Sequence, residues 1–165
     1  MSQLLLRETF PLLARHEGIW EGNYRHIDVN GNQIDEHKSK LVCRIPEDKP
    51  NIYHQTNHYT WNNGDSEIRD FIGEAHEDKL IFDNDIIVGW AAEVTLDENR
   101  RTMMLHWTRV GEPNTYLYEM IQLSDCGEYR SRVWQWLDGG KTIKRTLIDE
   151  QRVSNDWRGI KLKSQ

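Results

Sequence analysis

The sequence predicts an all-β fold: an antiparallel meander of about ten strands closed into a β-barrel, with a short N-terminal helix in front of it. After Gly18 the chain reads as runs of alternating apolar and polar residues. Nine turn signals separate the runs: Asn30-Gly31, Asp48-Lys49-Pro50, Asn63-Gly64, Glu77-Asp78, Asn84-Asp85, Asp97-Glu98-Asn99, Gly111-Glu112-Pro113-Asn114, Cys126-Gly127 and Gly139-Gly140. Nine turns join ten strands. A meander of that length closes because closure removes the edges it otherwise exposes.

The helix comes first in the chain. Leu4, Leu5, Phe10, Leu12 and Leu13, with the polar residues among them, suit one or two helical turns, which Pro11 either restarts or breaks and Gly18 ends. Residues 1–17 are then a helical segment closing the barrel, 18–153 the barrel and 154–165 a C-terminal tail. A chain of 165 residues fits one domain and one core.

Register follows from the turns. Treating Asn30-Gly31 as a two-residue turn sets Trp20 opposite Leu41, Gly22 opposite Ser39, Tyr24 opposite His37 and His26 opposite Asp35 on the inner face. On the other face Glu21 meets Lys40 and Arg25 meets Glu36, two opposite-charge pairs that agree with an outward surface. The same construction at Asn63-Gly64 sets Tyr59 against Ile68, Asn57 against Asp70 and Gln55 against Ile72 inside, with His58 against Arg69 outside. Gly139-Gly140 aligns Trp136 with Ile143 and Trp134 with Arg145, but both faces of that hairpin carry apolar residues and its orientation stays open.

Composition bounds the partners. With 27 acidic against 21 basic residues, a net charge of -6 and no basic patch, neither a nucleic-acid backbone nor an anionic membrane is expected as partner. Two cysteines, Cys43 and Cys126, are too few and too far apart for a disulfide framework or a zinc site and read as free thiols. The N-terminus reaches Arg7 and Glu8 without the apolar stretch of a secretory signal, and no run has the roughly twenty apolar residues of a membrane span. The expected location is cytoplasmic.

Gly18-Ile19-Trp20, at the start of the first strand and just after the helix, resembles the Gly-x-Trp signature of lipocalins and their calycin relatives. Glycine lets the chain pass from helix to strand, and the tryptophan closes the barrel floor. The resemblance implies an arginine from the last strand laid across that indole, and Arg152 is the match, with Arg145 as the substitute. Over nearly the whole chain the order helix, Gly-Ile-Trp-Glu-Gly, Asn-Gly hairpin, Trp61-Asn62-Asn63-Gly64 and Glu150-Gln151-Arg152 is similar to intracellular calycin-like families such as DUF3598. Fatty-acid-binding proteins and nitrobindins are similar in architecture. The chain departs from nitrobindins in having no histidine after His106, which disfavours haem ligation near the C-terminus, and from fatty-acid-binding proteins in lacking a helical lid after the first strand.

The inward positions of the first four strands carry an excess of polar groups: Tyr24, His37, Gln55, Asn57, Tyr59 and Asp70. Such a set serves either as a hydrogen-bonded plug or as a cavity wall. The candidate catalytic residues are His37 or Asp70 as base and Tyr24 or Tyr59 as donor. Glu119 and Arg132, on adjacent strands, pair inside if the Cys126-Gly127 turn sets that register. Candidate ligand contacts are Gln55, Asn57, Trp61, Trp90, Trp107, Glu119, Arg132 and Trp134, with Trp136 a further core aromatic. An interior lined by flat rings and a few polar anchors suits an aromatic ligand better than an acyl chain.

No metal site or cofactor is expected. His54 and His58 share the outer face but lie about 13 Å apart along a strand, too far for one ion. His26 and Asp35 face one another, but no third ligand is identified. There is no phosphate loop, nucleophile elbow or Cys-His arrangement. Two functional readings remain: a module that binds a small hydrophobic or aromatic molecule, or a cofactor-free acid–base enzyme of isomerase, cyclase or lyase type in the same cavity. A protein–protein adaptor using the outer barrel face is a third.

Overall fold

The computed structural model describes residues 5–160; Leu4 and the end of the C-terminal tail lie outside them. Two helical turns, α1 (Leu6–Thr9) and α2 (Pro11–Ala14), precede ten antiparallel strands. These are β1 (Gly18–Asp28), β2 (Gln33–Arg44), β3 (Ile52–Thr60), β4 (Ser66–His76), β5 (Lys79–Asp83), β6 (Ile87–Glu93), β7 (Thr102–Arg109), β8 (Thr115–Leu123), β9 (Tyr129–Asp138) and β10 (Lys141–Ser154). Each strand pairs with its sequence neighbours, and β1 pairs with β10 to close the barrel. Every expected turn lies between two strands.

Pro11 restarts the helix. Its fixed φ and missing N–H suit the first position of α2. The first-turn N–H groups of Leu12 and Leu13, which have no partner within the helix, donate to Glu93 Oε1 at 2.7 and 3.0 Å, which pins α2 across one end of the barrel. Buried Leu6, Phe10, Leu12 and Leu13 turn toward the interior there. Beneath them, Trp20 is fully buried, donates from Nε1 to the His16 carbonyl at 2.9 Å, and carries the Arg152 and Arg130 guanidiniums at 4.3 and 4.4 Å from its ring. Gly18 has φ +130°, and a Cβ there would lie 2.5 Å from the Ser154 carbonyl oxygen and 2.8 Å from Arg152 Nη1. Only glycine admits the arginine that covers the indole.

The three hairpins show how one bulge decides a face. Asp28 and Asn32 close a loop over Val29, Asn30 and Gly31, one residue longer than a two-residue turn. A bulge at Ile34 then restores the register, so Trp20 pairs with Leu41, Tyr24 with His37 and His26 with Asp35 as expected. At Asn63-Gly64 the same loop closes between Trp61 and Asp65, and no bulge compensates. Tyr59 therefore pairs with Glu67, Asn57 with Arg69 and Gln55 with Phe71, one residue from the sequence reading. That single step sends Asp70 to the outer face and brings Glu67, Arg69 and Phe71 inward. In the last hairpin Gly139 and Gly140, with φ of 53° and 87°, form the two-residue turn, but a bulge at Ile143 pairs Trp136 with Lys144 and Trp134 with Thr146. Arg145 is thereby kept off Trp134, and Lys144 stands over Trp136 at 4.5 Å.

Candidate functional site

The barrel interior has two parts. At the helix end, β9 and β10 direct Arg130, Arg132 and Glu150 inward, and β8 adds Glu119. Arg130 pairs with Glu150, while Arg132 donates to Glu119 at 2.6 Å, to Glu150 at 3.2 Å and to the Tyr24 hydroxyl at 2.9 Å. Two positive and two negative groups, all buried, thus compensate one another. Burial works against ionising Glu150, but Arg130 and Arg132 outweigh it and hold its carboxyl below the usual range. Burial raises the Tyr24 phenol well above its ordinary value, which makes it a fixed hydrogen-bond partner at neutral pH.

A polar ladder on β3 continues the network. Tyr53 donates to Gln55 (2.8 Å), Gln55 to Asn57 (2.8 Å) and Asn57 to the Tyr59 hydroxyl (2.6 Å). A small cavity of about 70 Å³ lies against Gln55, Asn57, Glu119, Arg130 and Arg132.

At the turn end the interior opens into a larger cavity of about 340 Å³, within the size of small-molecule sites. Phe71, Ile87, Trp107 and Trp134 belong to the walls of both cavities and form the partition between them. Tyr24, His37, Tyr59, Trp61, Trp134 and Trp136 line it, with Arg69, Arg109, Lys144 and Glu67 nearer the rim. The rings brace one another: Tyr24 stacks on His37 at 5.1 Å, His37 lies 4.5 Å from Trp61, and Trp107, Trp134 and Trp136 meet pairwise at 5.5–5.9 Å. Gly89 makes this possible, since a Cβ there would fall 2.6 Å from the Trp107 Cα and Cβ and 2.0 Å from the His106 carbonyl oxygen. The Trp134 indole N–H is buried without a hydrogen-bond partner among the described residues.

His26, Asp35 and His37 occupy adjacent inner positions at this mouth. Asp35 Oδ2 is 2.7 Å from His37 Nδ1 and 3.9 Å from His26 Nε2, while Oδ1 accepts from Trp61 Nε1 at 3.1 Å. Burial works to raise the Asp35 pKa, but the bonds from His37 and Trp61 hold it below its ordinary value. Burial, then Lys144 and His37, push His26 down to about 4, so its imidazole is neutral at pH 7. His26 Nδ1 bonds the Thr146 hydroxyl at 2.8 Å, which also accepts from Trp136 Nε1.

Most residues singled out from the sequence meet here. Tyr24, His37, Tyr59, Trp61, Trp107 and Trp134 line the mouth cavity, and Gln55, Asn57, Glu119 and Arg132 the inner one. Two stand elsewhere. Asp70 has a 54% exposed side chain and binds His54 at 2.7 Å and Thr56 at 2.6 Å on the outer face, the consequence of the β3–β4 register. Trp90 pairs with His106 on the outside, because the buried inner positions of β6 are Ile87 and Ala91 and the small Gly89 lies between them. Sequence reading missed Arg130, Glu150, Phe71 and Lys144. The alternation of Arg130, Arg132, Trp134 and Trp136 was a usable signal, since Trp134 and Trp136 inside require both arginines inside.

Among known proteins no family model matches the chain, and no curated protein matches it in sequence. Solved structures match its fold. A DUF3598-family protein from Nostoc punctiforme aligns over 86% of this chain with a TM-score of 0.67 and 15% identity; this chain spans about half (49%) of its length. The S-type phycobiliprotein lyase CPES from Guillardia theta aligns over 92% of this chain and 98% of its own with a TM-score of 0.64 and 14% identity. Rv2717c from M. tuberculosis aligns over 90% and 96% with a TM-score of 0.58 and 12% identity. At these identities the likeness concerns the fold alone, which in this chain is a closed, ten-stranded antiparallel barrel.

Proposed function

We propose that the chain binds a small aromatic molecule in the mouth cavity. The observation that carries this reading is the open cavity of about 340 Å³ at the turn end, walled by the rings of Tyr24, Tyr59, Trp61, Trp107, Trp134 and Trp136. Each well-set ring pair adds about 0.5–1.5 kcal/mol beyond burial. Near the rim Arg69 is ion-paired with Glu67 and Arg109 with Glu112, and Lys144 favours a ligand with an acidic substituent. The fold likeness to a phycobiliprotein lyase is consistent with a barrel used for small molecules, without saying which. We place this activity in the cytoplasm, where the free thiols of Cys43 and Cys126 stay reduced.

The His37–Asp35 pair supports a second reading, acid–base chemistry on the bound molecule: the carboxylate orients the imidazole and Tyr24 stacks on it. Neither Tyr24 nor Tyr59 is an easy proton source, since burial raises both phenols.

The test is a screen of aromatic acids by intrinsic Trp fluorescence, repeated on Ile34→Trp. Ile34 lines the mouth but is 56% exposed, so the larger side chain obstructs the cavity without touching the core. Binding by the parent that Ile34→Trp weakens tenfold or more is expected; equal binding by both places the ligand elsewhere and refutes the reading. If product analysis shows turnover and His37→Ala and Tyr24→Phe leave it unchanged, the acid–base reading fails while binding stands.

A further inference from the structure

The inner face at the mouth holds three metal-ligating side chains whose donor atoms the aromatic site leaves without a role. His26 on β1 and Asp35 on β2 are directly opposed, and His37 lies two residues along the same face of β2. The donor atoms of the three residues all lie within 4.8 Å of one another. Donors bound at about 2.0–2.2 Å to one tetrahedral ion stand roughly 3.3–3.5 Å apart. The separations of Asp35 Oδ2 from His37 Nδ1 and His26 Nε2, 2.7 and 3.9 Å, bracket that value.

Each donor is also oriented from behind. The Thr146 hydroxyl binds His26 Nδ1 and leaves Nε2 facing Asp35. Trp61 Nε1 holds Asp35 Oδ1 and leaves Oδ2 facing both histidines. Tyr24 and Trp61 pack on the His37 ring, and Tyr59 meets it edge-on at 5.1 Å. Partners of this kind fix tautomer and ring orientation at metal sites.

We propose that His26 Nε2, Asp35 Oδ2 and His37 Nδ1 form a site for one divalent transition-metal ion, with its remaining coordination positions turned toward the mouth cavity. Two imidazoles and one carboxylate suit a borderline ion such as zinc(II) or cobalt(II) better than magnesium or calcium, which prefer oxygen donors. Without the ion, Asp35 Oδ2 meets His37 Nδ1. When the ion binds Nδ1, the one proton of the neutral ring sits on Nε2, and the metal takes up the carboxylate charge. Lys144 opposes binding: it lines the same cavity and acts electrostatically on both His26 and Asp35. The site is independent of the aromatic ligand proposed above.

The test titrates tag-free protein, first treated with chelator, with cobalt(II) chloride in the absence of any organic ligand, following visible absorption. One equivalent per chain is expected, displaced by zinc(II). His26→Gln, Asp35→Asn and His37→Gln should each weaken binding at least tenfold. His54→Gln, in the outer His54–Asp70 pair, should leave it unchanged. Lys144→Gln should tighten it two- to tenfold, a gain that a misfolded variant does not produce. No stoichiometric binding up to millimolar cobalt overturns the proposal, as does an isotherm indifferent to His26→Gln and Asp35→Asn, or a loss of affinity in Lys144→Gln. Aromatic binding measured in EDTA reports separately, so either proposal can fail while the other stands.

Discussion

Replacing Glu150 by Gln tests how the two halves of the interior divide their work. The carboxylate has no exposed side-chain surface and serves both Arg130 and Arg132, whose side chains are only 2% and 5% exposed. Glu119 and Glu150 balance the two guanidiniums, so an amide at position 150 leaves one buried positive charge uncompensated. Removing one partner of a buried ion pair costs about 3–5 kcal/mol. At about 2–4 °C per kcal/mol for a chain of this size, Tm should fall by about 6–20 °C. Urea unfolding followed by near-ultraviolet circular dichroism measures the loss directly. The double variant Arg130→Met, Glu150→Gln restores the balance and should recover at least half of it. Because Glu150 lies outside the mouth wall, the folded single variant should keep its affinity for an aromatic acid within about twofold. A single variant within about 1 kcal/mol of the parent, or a double variant less stable than the single, would refute the claim that charge compensation holds this half of the barrel together.

Three further outcomes follow from the same geometry. Since the folded Glu150 pKa lies below its unfolded value of about 4.3, its contribution is complete above that pH and is lost as pH falls through the folded value. The stability gap between parent and Glu150→Gln should therefore be constant from pH 8 to about 5 and shrink below about 4; a gap that shrinks between pH 8 and 6 contradicts the assignment. Gly89→Ala forces a methyl group against Trp107 and the His106 carbonyl, and should cost about 1–3 kcal/mol and weaken aromatic binding, measured by denaturation and fluorescence titration. Asp70→Asn removes an exposed partner of His54 and Thr56, so it should change stability by no more than about 1 kcal/mol and leave ligand affinity untouched; lost affinity would return Asp70 to the site.

The ten-strand barrel was legible because turn chemistry is local: Asn-Gly, Gly-Gly and Pro-containing turns announce themselves within four residues. Gly18 and Trp20 were legible for a similar reason, with Arg152 supplying the covering guanidinium. Register was less so, because it depends on bulges that no local signal marks. The loops at Asn30-Gly31 and Asn63-Gly64 have the same hydrogen-bond pattern, yet only the first is compensated, by Ile34. The Tyr24–His37 pairing therefore agrees with the sequence while Asp70 lands outside. Trp90 was misplaced because hydrophobicity pointed it inward, whereas packing required Gly89 beneath Trp107. The sequence reading set His26, Asp35 and His37 on one inner face, but it counted His26 and Asp35 as a pair and did not add His37, two residues along β2, as the third donor.

The central claim is that the mouth cavity, and no other part of the barrel, receives the ligand. The seven tryptophans report on it by position in an indole ¹H–¹⁵N correlation spectrum recorded as an aromatic acid is added. Resonances of Trp61, Trp107, Trp134 and Trp136 should move, because these rings wall the cavity and feel the ring current of a bound aromatic acid. Trp20 at the floor, Trp90 on the outer face and Trp157, bonded to Glu17, should stay in place. Shifts confined to Trp90 or Trp157, with Trp134 unmoved at saturation, would contradict the account.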